Sequence, residues 1–201
     1  MQQAQHTTAV LLAAGAGTRL GRGPKALLPF RGRTLVEVQA DVLFDGGIQH
    51  VVVVAGAGGE AVHKLPGLAR CTVVDNPDWA SGMAGSLRTG LAAADPADDV
   101  LIALVDQPGA SPELVKRLLG NHRPGRVTAA AYQDAGGKIR RGHPLVIDAS
   151  LRAGAAASAT GDAGARAFLQ ANSGLVDLVD CSDLDTGADI DTPAQLPLLE
   201  P

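Results

Sequence analysis

The chain has 201 residues, of which 46% are hydrophobic and 19% charged, and its formal net charge is −4 at pH 7. This balance excludes a disordered chain, and an acidic protein without a basic stripe argues against nucleic acid as a partner. No apolar run approaches the roughly 20 residues that span a bilayer, and the first residues lack the basic flank of a secretory signal, so we expect a cytoplasmic protein. The length predicts a single domain over residues 1–201.

Apolar runs alternate with helical segments through the first half of the chain. Strands are predicted at 8–13, 48–55, 71–75 and 100–105. Helices are predicted at 34–44 with Thr34 as cap, at 60–65, at 86–94 and from Pro112 onward. Nearly continuous apolar strands that alternate with helices indicate a doubly wound, three-layer α/β fold, Rossmann-like, whose ligand sites lie at the carboxyl ends of the strands.

The pattern is looser in the second half of the chain. Strands are predicted at 127–132 and 145–147 on either side of the Gly136-Gly137 turn, and again at 175–179. The Ala- and Gly-rich stretch 153–171 is predicted to be largely helical from Gly161 onward, and a last helix follows Pro193. The two cysteines, Cys71 and Cys181, have no metal-binding spacing, and we expect buried free thiols.

The first strand runs into a loop with four glycines that ends at Pro24-Lys25. Glycine lets backbone amides approach a ligand closely, and successive exposed amides attract an anion. Five of the 17 Lys and Arg residues, and none of the 21 Asp and Glu residues, fall within the first 36 positions. The loop therefore predicts a small anionic ligand, most simply a phosphate. The competing interpretation is an ordinary turn between a strand and a helix.

Two common phosphate-binding motifs do not match this loop. A Walker A loop needs Ser or Thr after its Gly-Lys, whereas Lys25 precedes Ala26. The dinucleotide fingerprint needs G-x-G-x-x-G, and the spacing of Gly15, Gly17 and Gly21 is one residue too wide. The loop thus argues against a P-loop enzyme and against a Rossmann dehydrogenase.

Three aspartates are candidates for a metal site. Asp106 ends a wholly apolar strand, where a carboxylate needs an ion pair, hydrogen bonds or a metal. Asp189 and Asp191 are two residues apart and point the same way on an extended segment. Carboxylates together with nucleotide phosphates commonly hold Mg²⁺. The alternative is that Asp191 only caps the helix after Pro193 and Asp189 faces solvent.

Several stretches occur in a characteristic order along nearly the whole chain. They are Leu12-Ala-Ala-Gly-Ala-Gly-Thr-Arg-Leu-Gly21, Pro24-Lys25, Asn76-Pro-Asp-Trp-Ala-Ser-Gly-Met-Ala-Gly-Ser-Leu87, Gly90-Leu91, Asp106-Gln-Pro108, Gly142-His-Pro144 and Asp189-Ile-Asp-Thr-Pro193. This ordered set resembles the MobA-like nucleotidyltransferases, in particular the molybdenum cofactor cytidylyltransferases and guanylyltransferases. The resemblance implies a nucleotide-diphospho-sugar transferase-like domain, its mainly parallel sheet carrying one antiparallel strand. It also implies Mg²⁺-dependent transfer of a nucleoside monophosphate from NTP to a phosphorylated acceptor, with release of pyrophosphate.

The same resemblance assigns roles to individual residues. The nucleotide-binding residues would be Ala13, Ala14, Gly15, Ala16, Gly17, Arg19, Lys25, Asn76, Gly82, Ser86 and Asp106. Among them Arg19, Lys25 and Asp106 would be catalytic, with Lys25 neutralising the α-phosphate. Asp106, Asp189 and Asp191 would hold Mg²⁺. His143 would lie on the acceptor side, and its competing interpretation is a packing histidine.

The resemblance alone does not decide which nucleotide and which acceptor the protein uses. Alanine at position 14 resembles the cytidylyl branch and predicts CTP over GTP, and the acceptor expected is molybdopterin, with transient contact to a molybdoenzyme. The alternatives are a sugar-1-phosphate or other small phosphate acceptor, and a catalytically idle nucleotide-binding accessory protein. Two residues, Arg22 and Gly23, precede Pro24-Lys25 where much of the family carries one, so an alternative position for Lys25 stays open.

Overall fold

A mainly parallel sheet forms the middle layer of the computed structural model, which describes residues 6–134 and 136–200. The strands are β1 (Thr7–Leu12), β2 (Pro29–Phe30), β3 (Arg33–Thr34), β4 (His50–Ala55), β5 (Thr72–Asp75), β6 (Asp99–Leu104), β7 (Val127–Gln133), β8 (Ile139–Ile147) and β9 (Val176–Asp180). The helices are α1 (Leu35–Asp45), α2 (Gly59–His63), α3 (Met83–Ala93), α4 (Pro112–Asn121), α5 (Arg152–Ser158) and α6 (Arg166–Ala171).

The main sheet has the order β5-β4-β1-β6-β8-β7-β9, and β2 and β3 form a separate small hairpin. Neighbouring strands are parallel except at β8, which runs antiparallel to both β6 and β7. The predicted fold class, a doubly wound and mainly parallel sheet with one antiparallel strand, is therefore confirmed.

Both faces of the sheet are covered, as the continuous apolar strands predict. Successive side chains of β1 alternate between the faces, so Ala9 and Leu11 join one core cluster and Val10 and Leu12 join the other. Helices α1 and α4 contribute to the first cluster, and α3, α5 and α6 contribute to the second. Because β1 and β6 are buried on both faces, the loops that follow them are held on a rigid base.

Three helical predictions need correction. Helix α3 begins at Met83 instead of residue 86, directly after Gly82 with φ 115°. The prediction that the helix starts at Gly161 was wrong, because α5 lies before Gly161. Positive φ angles at Gly161 and Gly164 separate α5 from α6. The segment after Pro193 is a 3₁₀ helix over Pro193–Leu199, which contains a second proline, Pro197, that lacks an amide donor.

Smaller differences concern β8 and the cysteines. Strand β8 starts at Ile139, six residues before its predicted start. Cys181 is a buried free thiol as expected. Cys71 is also free but only partly buried, and burial raises its thiol pKa to about 11. No helix of the described ranges is long and apolar enough to cross a membrane.

The order of the strands defines where a ligand can enter. From β1 the chain proceeds to β4 and β5 on one side, and it then returns to β6 on the other side of β1. The chain passes from β1 to β4 on one side and from β6 to β7 on the other side, and this reversal of direction along the sheet opens a crevice at the carboxyl ends of β1 and β6. The glycine loop follows β1 and Asp106 follows β6, so both lie at this crevice.

Candidate active site

A cleft of about 670 Å³ lies at the carboxyl edge of the sheet. It is bounded by the glycine loop, the start of α3, the end of β6, the 162–166 segment and the chain around 189–191. The residues predicted from the sequence that line it are Ala14, Gly15, Ala16, Gly17, Arg19, Lys25, Gly82, Ser86, Asp106, Asp189 and Asp191. Ala13, Asn76 and His143 do not line this cleft.

The glycine loop presents unbonded amides to the cleft. Within the described chain, no hydrogen bond is donated by the backbone amides of Gly15, Ala16, Gly17, Thr18 and Arg19. A Cβ built on Gly15 meets nothing within 4 Å, and Gly15 has no positive φ. The fold itself therefore does not require glycine at this position, whereas a ligand that approaches the backbone closely would require it.

The rest of the loop folds back on itself and delivers Lys25 to the cleft. The carbonyl of Gly17 accepts from the amides of Leu20 at 3.0 Å and Gly21 at 3.1 Å. Gly17 has φ 64°, and a Cβ there would collide with the carbonyl oxygen of Gly23. Lys25 lines the cleft, so the two residues before Pro24 do not carry it away from the site.

Lys25 forms two ion pairs inside the cleft. Its Nζ donates to Asp106 Oδ2 at 2.6 Å and to Asp191 Oδ1 at 2.5 Å, and its side chain is only 13% exposed. Burial acts to lower the pKa of Lys25, but the hydrogen bonds and charges of the two carboxylates outweigh burial and raise it. Lys25 is therefore a fixed positive charge at neutral pH.

Asp191 and Asp189 are held differently in the cleft. The hydrogen bond from Lys25 keeps the pKa of Asp191 below its usual value. Asp189 accepts from Gln107 Nε2 at 2.7 Å, yet burial and the nearby charges of Asp106 and Asp191 raise its pKa. Three carboxylates thus face one small volume with one lysine between them.

Asp191 is not the cap of the 3₁₀ helix that follows it. Thr192 is the capping residue, and Gln195 Oε1 accepts from the amides of Asp191 at 3.0 Å and Thr192 at 2.9 Å. The amide of Ile190 donates to the carbonyl of Asp106 at 2.9 Å. The backbone itself therefore ties this segment to the end of β6 and leaves the Asp191 carboxylate to the cleft.

The donor set of the cleft fits a hard divalent cation. Asp106, Asp189 and Asp191 supply carboxylate oxygens, which Mg²⁺ and Mn²⁺ accept in preference to softer ligands. Within the described residues the ligand oxygens of these three aspartates are not gathered within 4.8 Å of one another, and the Lys25 ammonium bridges two of the carboxylates.

Positive charge comes from further residues around the opening. Arg19 is 77% exposed, and its Nη2 lies 3.8 Å from Asp191 Oδ2, so this contact constrains it little. Arg166, which was not predicted from the sequence, lines the cleft and forms no ion pair within the described residues. The first turn of α3 also faces the cleft through Gly82, Met83 and Ser86, so the positive end of that helix dipole points inward.

Gly82 explains why α3 and the 161–162 turn lie so close. A Cβ on Gly82 would lie 2.6 Å from the Gly161 carbonyl and 2.7 Å from Asp162 Oδ1. Asp162 and Arg166 thereby reach the cleft from a distant part of the chain. Sequence reasoning missed these two residues, because the Ala- and Gly-rich stretch that contains them has no motif.

Asn76 is buried beside the cleft and organises its wall. Its Nδ2 donates to Ser86 Oγ at 3.0 Å, and its Oδ1 accepts from the amide of Asp78 at 3.1 Å. Asn76 therefore positions Ser86, which does line the cleft. Its predicted contact with the base stays a prediction. Ala13, which is fully buried, underlies the loop.

His143 lies behind the cleft on β8. Its carbonyl accepts from Tyr132 Oη at 2.6 Å. Burial and the charges of Arg141 and Arg166 lower the pKa of His143 to about 4. The imidazole is neutral at pH 7 and experiences the positive charge of Arg141 and Arg166, of which Arg166 lines the cleft.

Three features together define a nucleotide-binding α/β domain. They are the order of the strands, the loop of unbonded amides and the carboxylates bridged by Lys25. The MobA-like NTP transferase domain matches residues 9–176. The chain belongs to the MobA-like NTP transferase family.

Two curated relatives differ in the activity that they are named for. Nicotine blue oxidoreductase of Paenarthrobacter nicotinovorans is 56% identical over 94% of this chain and 94% of its own length. A molybdenum cofactor guanylyltransferase of Xanthomonas euvesicatoria is 35% identical over 63% of this chain and 59% of its own length.

Solved structures share the fold over nearly the full chain. The Mycobacterium tuberculosis protein Rv0371c superposes with a TM-score of 0.83 at 28% identity, covering 99% of this chain and 100% of that chain. A complex of the same protein with manganese gives a TM-score of 0.78 at 27% identity, with the same coverage.

Replacing Gly15 by alanine tests the amide loop. Because a Cβ there has open space and no strained φ, the free energy of unfolding should stay within about 0.5 kcal/mol of the parent. If the loop is the phosphate site, a methyl group there should weaken NTP binding by about 1–3 kcal/mol. Isothermal titration calorimetry with Mg²⁺ measures this. Gly174→Ala, also in open space, is the matched control, and equal affinity in both variants would reject the loop as the phosphate site.

The depressed pKa of His143 predicts an acid-dependent loss of stability. The unfolded chain binds a proton near pH 6.5 but the folded chain only near pH 4, so stability present above pH 6.5 is lost as the pH falls between these values. The loss amounts to about 3 kcal/mol at most. Urea unfolding at pH 7 and pH 4 should show a smaller pH dependence for His143→Gln than for the parent, and identical dependence would contradict the lowered pKa of His143.

Proposed function

We propose that this protein is a Mg²⁺-dependent nucleotidyltransferase that transfers CMP from CTP to a phosphorylated acceptor and releases pyrophosphate. The observation that carries the proposal is the Lys25 ammonium held between Asp106 and Asp191 beside a loop of five unbonded amides. These groups pair a cation site with an anion cradle, which is what transfer between two phosphates needs.

The chain's own residues supply binding and charge in this reaction. The 15–19 amides and Arg19 would hold the β- and γ-phosphates, and Lys25 would neutralise the α-phosphate. An oxygen of the acceptor phosphate bonds to the α-phosphorus while the bond from that phosphorus to the bridging oxygen of pyrophosphate breaks. The acceptor phosphate is already an anionic nucleophile at neutral pH, so no general base is required and the neutral His143 fits a positioning role.

Asp106, Asp189 and Asp191 would hold the Mg²⁺. When bound, the cation supplies charge neutralisation and alignment of the triphosphate. The high pKa of Lys25 keeps that side chain protonated when a nucleotide approaches, so it can exchange a carboxylate partner for a phosphate oxygen.

The preference for CTP rests on Ala14. Ala14 lines the cleft and lies against Gly56, because a Cβ built on Gly56 would be 2.7 Å from the Cβ of Ala14 and 2.7 Å from the Cβ of Trp79. A methyl at this position narrows the surface on which the base would lie and favours the smaller pyrimidine. The guanylyltransferase relative supports GTP instead, so the ratio of the two is the quantity to measure.

The acceptor is proposed to be molybdopterin, in keeping with the guanylyltransferase relative, and delivery of the product to a molybdoenzyme would follow. Arg166 at the cleft, with Arg141 near it, supplies positive charge for the acceptor phosphate. A sugar-1-phosphate presents the same phosphate chemistry and is the alternative acceptor. A nucleotide-binding accessory protein without catalysis is the alternative that requires no acceptor.

A second candidate function is oxidoreduction of nicotine blue, and the 56% identity to nicotine blue oxidoreductase favours it. In that case the amide loop would hold the phosphates of a redox nucleotide, although the loop lacks the dinucleotide fingerprint. The carboxylate cluster distinguishes the candidates, because transfer between phosphates uses a cation site and hydride transfer does not depend on one.

Two parallel assays separate these functions. Pyrophosphate release is followed with each NTP, Mg²⁺ and molybdopterin, and absorbance is followed with nicotine blue and NADH, NADPH or reduced flavin. Pyrophosphate release supports the transferase. Pigment reduction without pyrophosphate release supports the oxidoreductase, and nucleotide binding without either supports the accessory protein.

Asp106→Asn should abolish Mg²⁺-dependent pyrophosphate release while the fold is retained, because the side chains are nearly isosteric. Lys25→Ala should cost a few kcal/mol of transition-state stabilisation, roughly the effect of losing one electrostatic donor. Asp183→Asn, on an exposed residue paired with Arg117, is the control and should leave the rate unchanged. Turnover of Asp106→Asn with an unaltered Mg²⁺ requirement would contradict the assignment of the metal site.

Competition between CTP and GTP at equal concentration and saturating Mg²⁺ should favour CTP. The preference for CTP should be partial, with GTP still used, because one methyl group gives only about 1–3 kcal/mol of discrimination in a pocket. Ala14→Gly should shift the ratio towards GTP, and Ala16→Gly, on the same loop, serves as the comparison. Equal or better use of GTP by the parent would reject the cytidylyl assignment.

A further inference from the structure

Gln107 is a buried polar residue beside the cleft to which the proposed function gives no role. It follows Asp106 within the Asp106-Gln-Pro108 stretch, shortly after the end of β6, and is only 6% exposed. A buried amide costs free energy unless its polar atoms are hydrogen-bonded. The contacts of this side chain therefore indicate what it does.

The Gln107 side chain contacts the chain segment that carries Asp189. Its Nε2 donates to Asp189 Oδ1 at 2.7 Å and to the carbonyl oxygen of Gly187 at 3.4 Å. The shorter of the two bonds has a charged acceptor, which makes it the stronger one. The amide thus fixes one oxygen of the Asp189 carboxylate.

The backbone of Gln107 is itself held from the other side. Gln39 of α1 is 2% exposed, and its Nε2 donates to the carbonyl of Gln107 at 3.1 Å. The amide of Ala110 donates to the same carbonyl at 3.3 Å. The Gln107 side chain therefore reaches Asp189 from a backbone that α1 anchors.

The backbone on both sides of Asp189 is fixed by other contacts. Gly187 has φ 68°, and a Cβ there would collide with the ring of Tyr132, so the chain packs tightly against that ring. Ile190 is fully buried, and its amide donates to the backbone just after β6 at 2.9 Å. These contacts leave open the direction of the Asp189 side chain, and the hydrogen bond from Gln107 determines that direction.

Like charges act against the direction that Asp189 takes. Asp106 and Asp191 line the same cleft, and their charges act on Asp189. Repulsion between carboxylates favours rotation of Asp189 away from the other two, and the hydrogen bond from Gln107 opposes that rotation. Asp189 Oδ2 accepts no hydrogen bond from the part of the chain that the structure describes. One oxygen is thus held, and the other is available to a ligand of the cleft.

We propose that Gln107 is a positioning residue that orients Asp189 so that its second oxygen faces the divalent cation of the cleft. Because the cation site belongs to the proposed function, this role rests on that function. Carboxylates that bind metals are themselves held by hydrogen bonds, and loss of such an outer partner lowers metal affinity. Glutamine suits the role because its amide donates without adding a charge, whereas a glutamate would add a fourth carboxylate.

The alternative role for Gln107 is a purely structural tie between the end of β6 and the C-terminal segment. Gln39 provides the matched control, because it is a buried glutamine in the same chain of hydrogen bonds, and its bond goes to the Gln107 backbone instead of Asp189. Loss of either side chain removes buried hydrogen bonding and lowers stability. Only loss of the Gln107 side chain releases Asp189.

The test measures Mn²⁺ binding to the full, chelator-treated chain by electron paramagnetic resonance, in which the signal of the free ion falls as the ion binds. Gln107→Leu should weaken Mn²⁺ binding by about 10–100-fold, because Asp189 loses its outer partner. Gln39→Leu should lower the Tm as Gln107→Leu does, yet leave the Mn²⁺ affinity unchanged. In the Asp189→Asn background, Gln107→Leu should cause no further loss, since the two residues act through one contact.

Unchanged Mn²⁺ affinity in Gln107→Leu, an equal loss in Gln39→Leu, or an additive loss with Asp189→Asn would overturn the proposal, as would a parent chain that binds no Mn²⁺. If Gln107→Leu fails to fold, Gln107→Met replaces it, because methionine fills irregular space and has no amide donor.

Pyrophosphate release is assayed separately, so that failure of this role and failure of the proposed function are distinguished. Mn²⁺ binding that depends on Gln107, without pyrophosphate release, supports the positioning role and rejects the transferase. Pyrophosphate release together with normal Mn²⁺ binding to Gln107→Leu rejects the positioning role alone.

Discussion

The ion pairs of Lys25 are the interaction on which the cleft depends. Asp106 closely follows a strand buried on both faces, and Asp191 belongs to a segment that reaches the cleft from far along the chain. Without the lysine, these carboxylates and Asp189 would face one another at short range in a partly buried site, which is strongly unfavourable. Lys25 therefore joins the glycine loop to the C-terminal segment and keeps the anionic side of the cleft stable without a ligand.

That arrangement also explains how the cleft can accept opposite charges. The amides of 15–19 and the start of α3 favour an anion, while the three carboxylates favour a cation. A nucleotide complexed with a divalent metal carries both charges and satisfies both halves of the site. The sheet places the two halves together because β1 and β6 are neighbours whose connections diverge.

Family membership and activity are separate questions for this chain. The fold and the family follow from the match over residues 9–176, whereas the two curated relatives are named for different chemistries. A fold of this kind supports many reactions, and the reaction depends on the side chains of the site. Here Lys25 and the three aspartates favour phosphate chemistry. The high identity to an oxidoreductase makes the direct comparison of both activities informative.

The sequence by itself determined the parts of the protein that local pattern controls. Continuous apolar strands with intervening helices were sufficient for the sheet and its two covered faces, and the glycine loop with Lys25 indicated an anion site. Asp106 could be selected because a carboxylate that ends a buried strand needs a partner. Only the tertiary structure identified that partner as Lys25, since the two residues are 81 positions apart. It alone brought Arg166 and Asp162 to the cleft and joined Gln107 to Asp189, because such contacts depend on strand order and on close approaches at glycines that leave no periodic signal in the chain.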